Sequence, residues 1–226
     1  MSPSGEDFEF LRQKMIKGQL LSRNIRDEKV LEAFNRVQRH RFVDPAMYAD
    51  AYSDSPLAIG KGQTISQPYI VALMMQLLGI KDKDKILEIG TGSGYETALL
   101  AELTDRVFSV ERIESLSEKA KRILKELGYD KVRIKTGDGT MGWPEFSPFD
   151  KIVVTAASDR TPASLLNQLS GGGKMVMPVG TRFSQRLMLM EKDLKGNISE
   201  KNICGCVFVP LIGKYGQEDG FAGKNT

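Results

Sequence analysis

Residues 86–94, Ile86-Leu87-Glu88-Ile89-Gly90-Thr91-Gly92-Ser93-Gly94, constrain the fold of this chain more than any other stretch. Ile86 to Ile89 is a short apolar run carrying one acid, and glycines follow at every second position. An apolar run of that length closed by glycine predicts a buried parallel strand. Glycine lets the backbone turn tightly and approach a ligand with no Cβ in the way. Thr97 to Leu103 has helical spacing, so the loop feeds a helix N-terminus. Strand, glycine loop and helix predict an α/β fold with a doubly wound, Rossmann-like sheet and a nucleotide at its edge.

The spacing narrows the nucleotide. A dinucleotide fingerprint reads G-x-G-x-x-G, and its third glycine would fall on Tyr95. Glu88, just ahead of the glycines, would repel a phosphate and tolerate a cation. No Lys followed by Ser or Thr stands at phosphate-loop spacing, which excludes a P-loop. The pattern from Glu88 to Gly94, E-x-G-x-G-x-G, resembles the first motif of S-adenosylmethionine-dependent methyltransferases, whose cofactor is a sulfonium cation.

Later segments supply the rest of a sheet. Arg106 to Val110 alternates like a second strand and ends at Glu111, within the offset of about 20 residues expected of a ribose-binding acid. Val132 to Lys135 reads as a third strand, closed by Gly137-Asp138-Gly139. An Asp between glycines is ordinarily a turn, yet at a strand end it can also meet an adenine amino group. Phe149 to Ala157 is a fourth strand ending in small residues that leave room for a ligand. Leu165 to Leu169 reads as a helix, Gly171 to Gly173 as its stop and Lys174 to Pro178 as a further strand.

Upstream, Phe8 to Leu20 and Asp27 to Val37 read as amphipathic helices, the second capped by Asp27. Pro68 to Leu78 is a third, rich in Met and Leu. Residues 52–69 are turn-rich and then polar, and read as a surface loop. Within them Ser66 serves either as the cap of the helix starting near Pro68 or as an active-site residue; chemistry alone does not choose. Leu187 to Glu191 and Asn202 to Val209 bracket a turn at Asp193 to Gly196, an antiparallel pair at the sheet edge. The expected layout is one domain: a helical and active-site subdomain over 1–80, a cofactor-binding core over 81–213 and a mobile tail over 214–226.

The segment from Ile59 to Pro68, Ile59-Gly60-Lys61-Gly62-Gln63-Thr64-Ile65-Ser66-Gln67-Pro68, resembles the active-site segment of protein-L-isoaspartate O-methyltransferases. So do Val37 to Val43, Ile86 to Gly94, Gly137 to Thr140, Thr155 to Ala157, Gly172 to Lys174, Met177 to Gly180 and Phe208 to Leu211, in order from about Gln19 to Leu211. The resemblance implies methyl transfer from S-adenosylmethionine, leaving S-adenosylhomocysteine, to the free α-carboxylate of L-isoaspartyl residues in damaged proteins and peptides. The ester then collapses to a succinimide, whose hydrolysis regenerates some normal Asp. It implies cofactor contacts at Gln63, Thr64, Ile65, Glu88, Gly90, Gly92, Glu111, Asp138 and Gly139. Ser66 would orient the substrate carboxylate, with Thr64, Val209, Leu211 and Ile212 closing the pocket around it. Tyr69 and Val71 stand where some relatives have histidines. A methyltransferase of a small molecule or RNA on the same core, or a scaffold that kept the fold, are the competing readings.

Composition agrees with that chemistry. A carboxylate is already ionised at neutral pH, with a reference pKa of about 3.5–4, so it needs no general base. The chain has one histidine, His40, expected to be structural. Alignment of oxygen, methyl and sulfur can supply about 7–11 kcal/mol. The net charge of +3 over 226 residues and the lack of a basic stripe interleaved with aromatics argue against nucleic acid. Lys119 to Lys125 carries helix spacing and reads as a solvated face. Cys204 and Cys206 would share one strand face; two thiols cannot close a structural zinc site, so buried free thiols and no metal are expected. No apolar run reaches 18 residues and the acidic start lacks a signal-peptide pattern. A monomeric, cytosolic chain independent of membranes is expected.

Overall fold

A computed structural model describes residues 5–181 and 183–217. Seven strands form one sheet: β3 (Ile86–Ile89), β4 (Val107–Glu111), β5 (Arg133–Thr136), β6 (Phe149–Val154), β7 (Leu169–Thr181), β8 (Ser184–Lys192) and β9 (Ile198–Cys206). Their spatial order is β5-β4-β3-β6-β7-β8-β9. The five strands β5, β4, β3, β6 and β7 run parallel, and β8 and β9 add antiparallel pairs. The expected doubly wound sheet with an antiparallel C-terminal edge is therefore present. Gly171 to Gly173 lies inside β7, not between a helix and a strand, and the helix before it, α6 (Ala163–Asn167), is only five residues long.

Side-chain alternation divides the core between the two faces. Ile86, Val107, Val153 and Val176 pack beneath most of the helices. Leu87, Ile89, Phe108, Val110, Ile152 and Met175 pack on the other face, with Leu165 and Leu169. The helical side holds α1 (Gly5–Met15), α2 (Glu28–Arg36), α3 (Pro68–Leu78), α4 (Tyr95–Ala101) and α5 (Glu114–Glu126). The first expected helix continues from α1 through a π-helical turn over Ile16–Leu20. Asp27 caps α2 as expected, accepting from the Lys29 and Val30 amides at 3.0 and 3.2 Å. Proline starts α3, and Gly79, left-handed at φ 56°, ends it.

Residues 52–69 are not simply a surface loop. β1 (Leu57–Gly60) and β2 (Gln63–Ile65) pair antiparallel in a small separate hairpin. Its turn places Gly60 and Gly62 at φ 92° and 69°, conformations that glycine adopts without strain. At the start of the expected tail, the amides of Lys214 and Tyr215 are held by Asp138 Oδ2 at 2.8 Å and Thr140 Oγ1 at 3.1 Å. The rest of that expectation, residues 218–226, lies outside the described residues. Cys204 and Cys206 are half-buried, not buried, free thiols, and burial pushes Cys206 up to about 11.

Candidate active site

Strand order reverses between β3 and β6, and the carboxyl ends of β3, β4 and β6 meet there. Ligands of open α/β sheets bind at such a switch point. An open cleft of about 600 Å³ occupies it, floored by Ile89, Gly90 and Gly92. Val110, Glu111, Gly139, Thr155 and Ala156 line it as well. Gln63 and Thr64 of the hairpin and the segment Val209 to Ile212 complete the rim. That last segment reaches the cleft because Ala157 clamps it: the Ala157 amide donates to Val209 O at 2.8 Å, and the Leu211 amide donates to Ala157 O at 2.7 Å.

The glycine loop is built for this edge. Gly90 has φ 100°, and a Cβ there would lie 2.2 Å from Thr155 Oγ1. Only glycine lets the Thr155 hydroxyl donate to Gly90 O at 2.9 Å. The Gly92 amide donates to Glu111 Oε2 at 2.8 Å, and the Ile113 amide to Glu111 Oε1 at 2.8 Å. Glu111 is 6% exposed. Its carboxylate thus ties the loop to the end of β4 while retaining lone pairs toward the cleft.

A smaller cavity adjoins it, sharing Thr64, Gly90, Gly92 and Thr155. Ile65, Ser66 and Val71 line it together with Ser93, Tyr95 and Glu96. Here the two readings of Ser66 separate. The residue before α3 is Gln67, which makes no side-chain cap bond. Asp54 caps the helix instead, its Oδ1 accepting from the Tyr69 amide at 3.1 Å. The Asp54 carboxylate also accepts from Gln67 Nε2 at 2.8 Å and pairs with Arg23 at 2.6 Å. Ser66 is therefore not the cap, and its hydroxyl has no partner among the described residues.

Arg39 holds that loop from below. It is fully buried, donating from Nε to Ala51 O and from Nη2 to Ser66 O, both at 2.8 Å. Its guanidinium sits 4.8 Å from the Tyr95 ring centroid. Burial lowers it to about 10, so it stays charged at neutral pH. Nothing in the local pattern around Arg39 signals this role, which depends on partners 12 and 27 residues away. His40 is structural, stacked on Phe8 at 3.8 Å and bonded through Nδ1 to the Tyr52 hydroxyl at 2.9 Å. Tyr69 packs under Arg23, whose guanidinium lies 3.3 Å from its ring centroid.

Two of the expected cofactor residues, Glu88 and Asp138, do not line the cleft. Glu88 shares strand parity with Ile86 and so points toward α4, not the cleft. It is fully buried; Oε2 accepts from Thr97 at 2.6 Å and Ser109 at 2.5 Å, and burial raises it to about 7. Asp138 turns away as well, its Oδ1 accepting from the Thr140 amide and hydroxyl at 2.8 and 2.6 Å. Its neighbour Gly139 lines the cleft in its place. Conversely, the sequence reading assigned no site role to Arg112, Ile113 or Thr155, which line the cleft beside the expected segment Val209 to Ile212. Thr155 carried a readable signal, since it opens the small-residue end of the fourth strand.

The family model described as protein-L-isoaspartate(D-aspartate) O-methyltransferase (PCMT) matches residues 11–216. The chain belongs to that family. A protein-L-isoaspartate O-methyltransferase of Geobacter metallireducens is 51% identical over 210 residues, covering 93% of this chain and 97% of its own. One from Syntrophus aciditrophicus is 52% identical over 212 residues, covering 92% and 97%. Among solved structures, a protein-L-isoaspartate O-methyltransferase superposes with a TM-score of 0.80 at 30% identity, over 91% of this chain and 67% of that one. A Plasmodium falciparum structure with S-adenosyl-L-homocysteine shares the fold, with a TM-score of 0.77 at 24% identity over 91% and 98% of the two chains. The Gly90–Gly94 loop and the Gln63–Ser66 hairpin thus belong to a PCMT-family fold over almost its whole length.

Proposed function

We propose that this cleft binds S-adenosylmethionine and that the hairpin end at Ser66 presents the free α-carboxylate of an L-isoaspartyl residue to it. The chain's own residues suit such a cofactor. An acid at the end of β4 can accept hydrogen bonds from ribose hydroxyls, and Gly139 and Ala156 leave room for a base. A buried acid, Glu96, lines the adjoining cavity, which has no basic lining residue. That set favours a cationic nucleoside over a pyrophosphate.

The activity is repair methylation of isoaspartyl residues in damaged proteins and peptides, and the methyl ester formed collapses to a succinimide. When bound, S-adenosylmethionine supplies an electrophilic methyl on a sulfonium. The substrate carboxylate is ionised at neutral pH, so the protein needs no general base. Its task is positioning, which can be worth about 7–11 kcal/mol. Ser66 donates a hydrogen bond that orients the carboxylate without competing as a nucleophile. Arg39 fixes the Ser66 carbonyl and so the loop that carries the hydroxyl. Thr64 and the segment Val209 to Ile212 border both reactants and limit water access. Gln63, Thr64, Ile65, Gly90, Gly92, Glu111 and Gly139 contact the cofactor; Glu88 and Asp138 support it indirectly, through α4 and the 139–141 turn.

The observation that carries this reading is the unpartnered Ser66 hydroxyl in a cavity shared with the glycine loop. The proposal extends to a monomer in a reducing, cytosolic compartment, which two unpaired cysteines fit. Residues 1–80 would carry the substrate side and 81–213 the cofactor side of one domain. Ser66→Ala tests it: turnover on an isoaspartyl peptide should fall while S-adenosylhomocysteine affinity holds. Collapse of that affinity with turnover at saturation intact would make Ser66 a cofactor residue.

A further inference from the structure

Glu96 stands in the first turn of α4 and lines the smaller cavity together with Ser66. It is 7% exposed, and its Oε1 is buried with no hydrogen-bond partner among the described residues. None of the residues lining this cavity is basic. Glu88, the nearby buried acid, cannot serve as a partner and does not reach either cavity. An ionised carboxylate buried without a counter-charge is strongly disfavoured. A cation entering the cavity would supply the missing counter-charge.

The shape of the site says which cation. The cavity shares Thr64, Gly90, Gly92 and Thr155 with the main cleft. A nucleoside in the cleft with its sulfur near the glycine loop has its amino-acid tail within reach of this space. We propose that Glu96 receives the α-ammonium group of that tail, making the smaller cavity a subsite that selects nucleosides bearing the amino group. The inference deepens, and rests on, the reading of the cleft as the cofactor site. Burial and the neighbouring Glu88 carboxylate push Glu96 well above the ordinary carboxylate range, as expected of an acid whose counter-charge arrives with a ligand.

Calorimetric titration of wild type and Glu96→Gln tests this with three ligands. They are S-adenosylhomocysteine, its analogue lacking the α-amino group, and 5′-methylthioadenosine, which lacks the whole tail. Glu96→Gln should weaken S-adenosylhomocysteine at least tenfold and leave 5′-methylthioadenosine unchanged. The deaminated analogue should bind wild type and variant alike. Unchanged S-adenosylhomocysteine affinity, or equal losses for all three ligands, would overturn the assignment, the latter marking a purely structural role. A wild type that binds none of the three would overturn the cofactor site together with the inference. The amide substitution keeps the side-chain volume and removes a buried acid, so the unliganded variant should unfold at or above the wild-type temperature.

Discussion

Glu111→Gln separates loop organisation from cofactor binding, because the two draw on different lone pairs of one carboxylate. Both Glu111 oxygens accept backbone N–H bonds at 2.8 Å, from Gly92 and Ile113. An amide can satisfy only one of them and turns its own NH2 against the other. Stranding a buried N–H costs about 1–3 kcal/mol, which in a chain of this size lowers the melting temperature by about 2–10 °C. The same change makes the acceptor for the ribose hydroxyls neutral. A bond to a charged group contributes about 1.5–3 kcal/mol, against about 0.5–1.5 for a neutral one. For two hydroxyls the loss is roughly 2–3 kcal/mol, or about 30- to 150-fold in affinity. Melting curves of the free variant and calorimetric titration with S-adenosylhomocysteine measure the two effects separately. A lowered melting temperature with affinity within threefold of wild type would refute the ribose role and leave Glu111 as a loop tie.

Gly90→Ala should destabilise the fold by at least about 2 kcal/mol in urea titration, since φ 100° disfavours a side chain and the new Cβ meets Thr155 Oγ1 at 2.2 Å. Adding Thr155→Ala should recover only the steric part; an unchanged midpoint in the single variant would contradict the geometry. For His40, burial first and then the charges of Arg12 and Arg41 lower the pKa to about 4, below the unfolded value of about 6.5. Its contribution is therefore present above about pH 6.5 and lost as pH falls toward 4. His40→Phe, which keeps the stack on Phe8, should show a shallower fall in melting temperature across that window; an identical slope would remove His40 as the titrating group.

The parts of this architecture legible in the sequence are those set by local pattern. Ile86 to Gly94 announces a strand and a loop because apolar continuity and glycine spacing are one-dimensional signals, and Asp27 announces a cap because its partners lie two and three residues on. Pro68 and Gly79 bracket a helix in the same way. What could not be read depends on pairing at a distance. The fate of Ser66 was decided by Asp54, which took the capping role from 15 residues upstream of Tyr69. The direction of Glu88 follows from its register opposite Ser109, which sequence spacing does not contain. Asp138 is engaged by the Lys214 amide, 76 positions later. Arg39 looked like one of two arginines around a histidine until burial singled it out.

The measurement that bears most directly on the account is methyl transfer from labelled S-adenosylmethionine to two matched peptides, one with L-isoaspartate and one with normal aspartate at the same position. Base-labile methyl ester should form on the isoaspartyl peptide and not on its aspartyl twin. Equal labelling of both, or labelling of neither by a protein that binds S-adenosylhomocysteine, would contradict the assignment of this cleft to isoaspartyl repair.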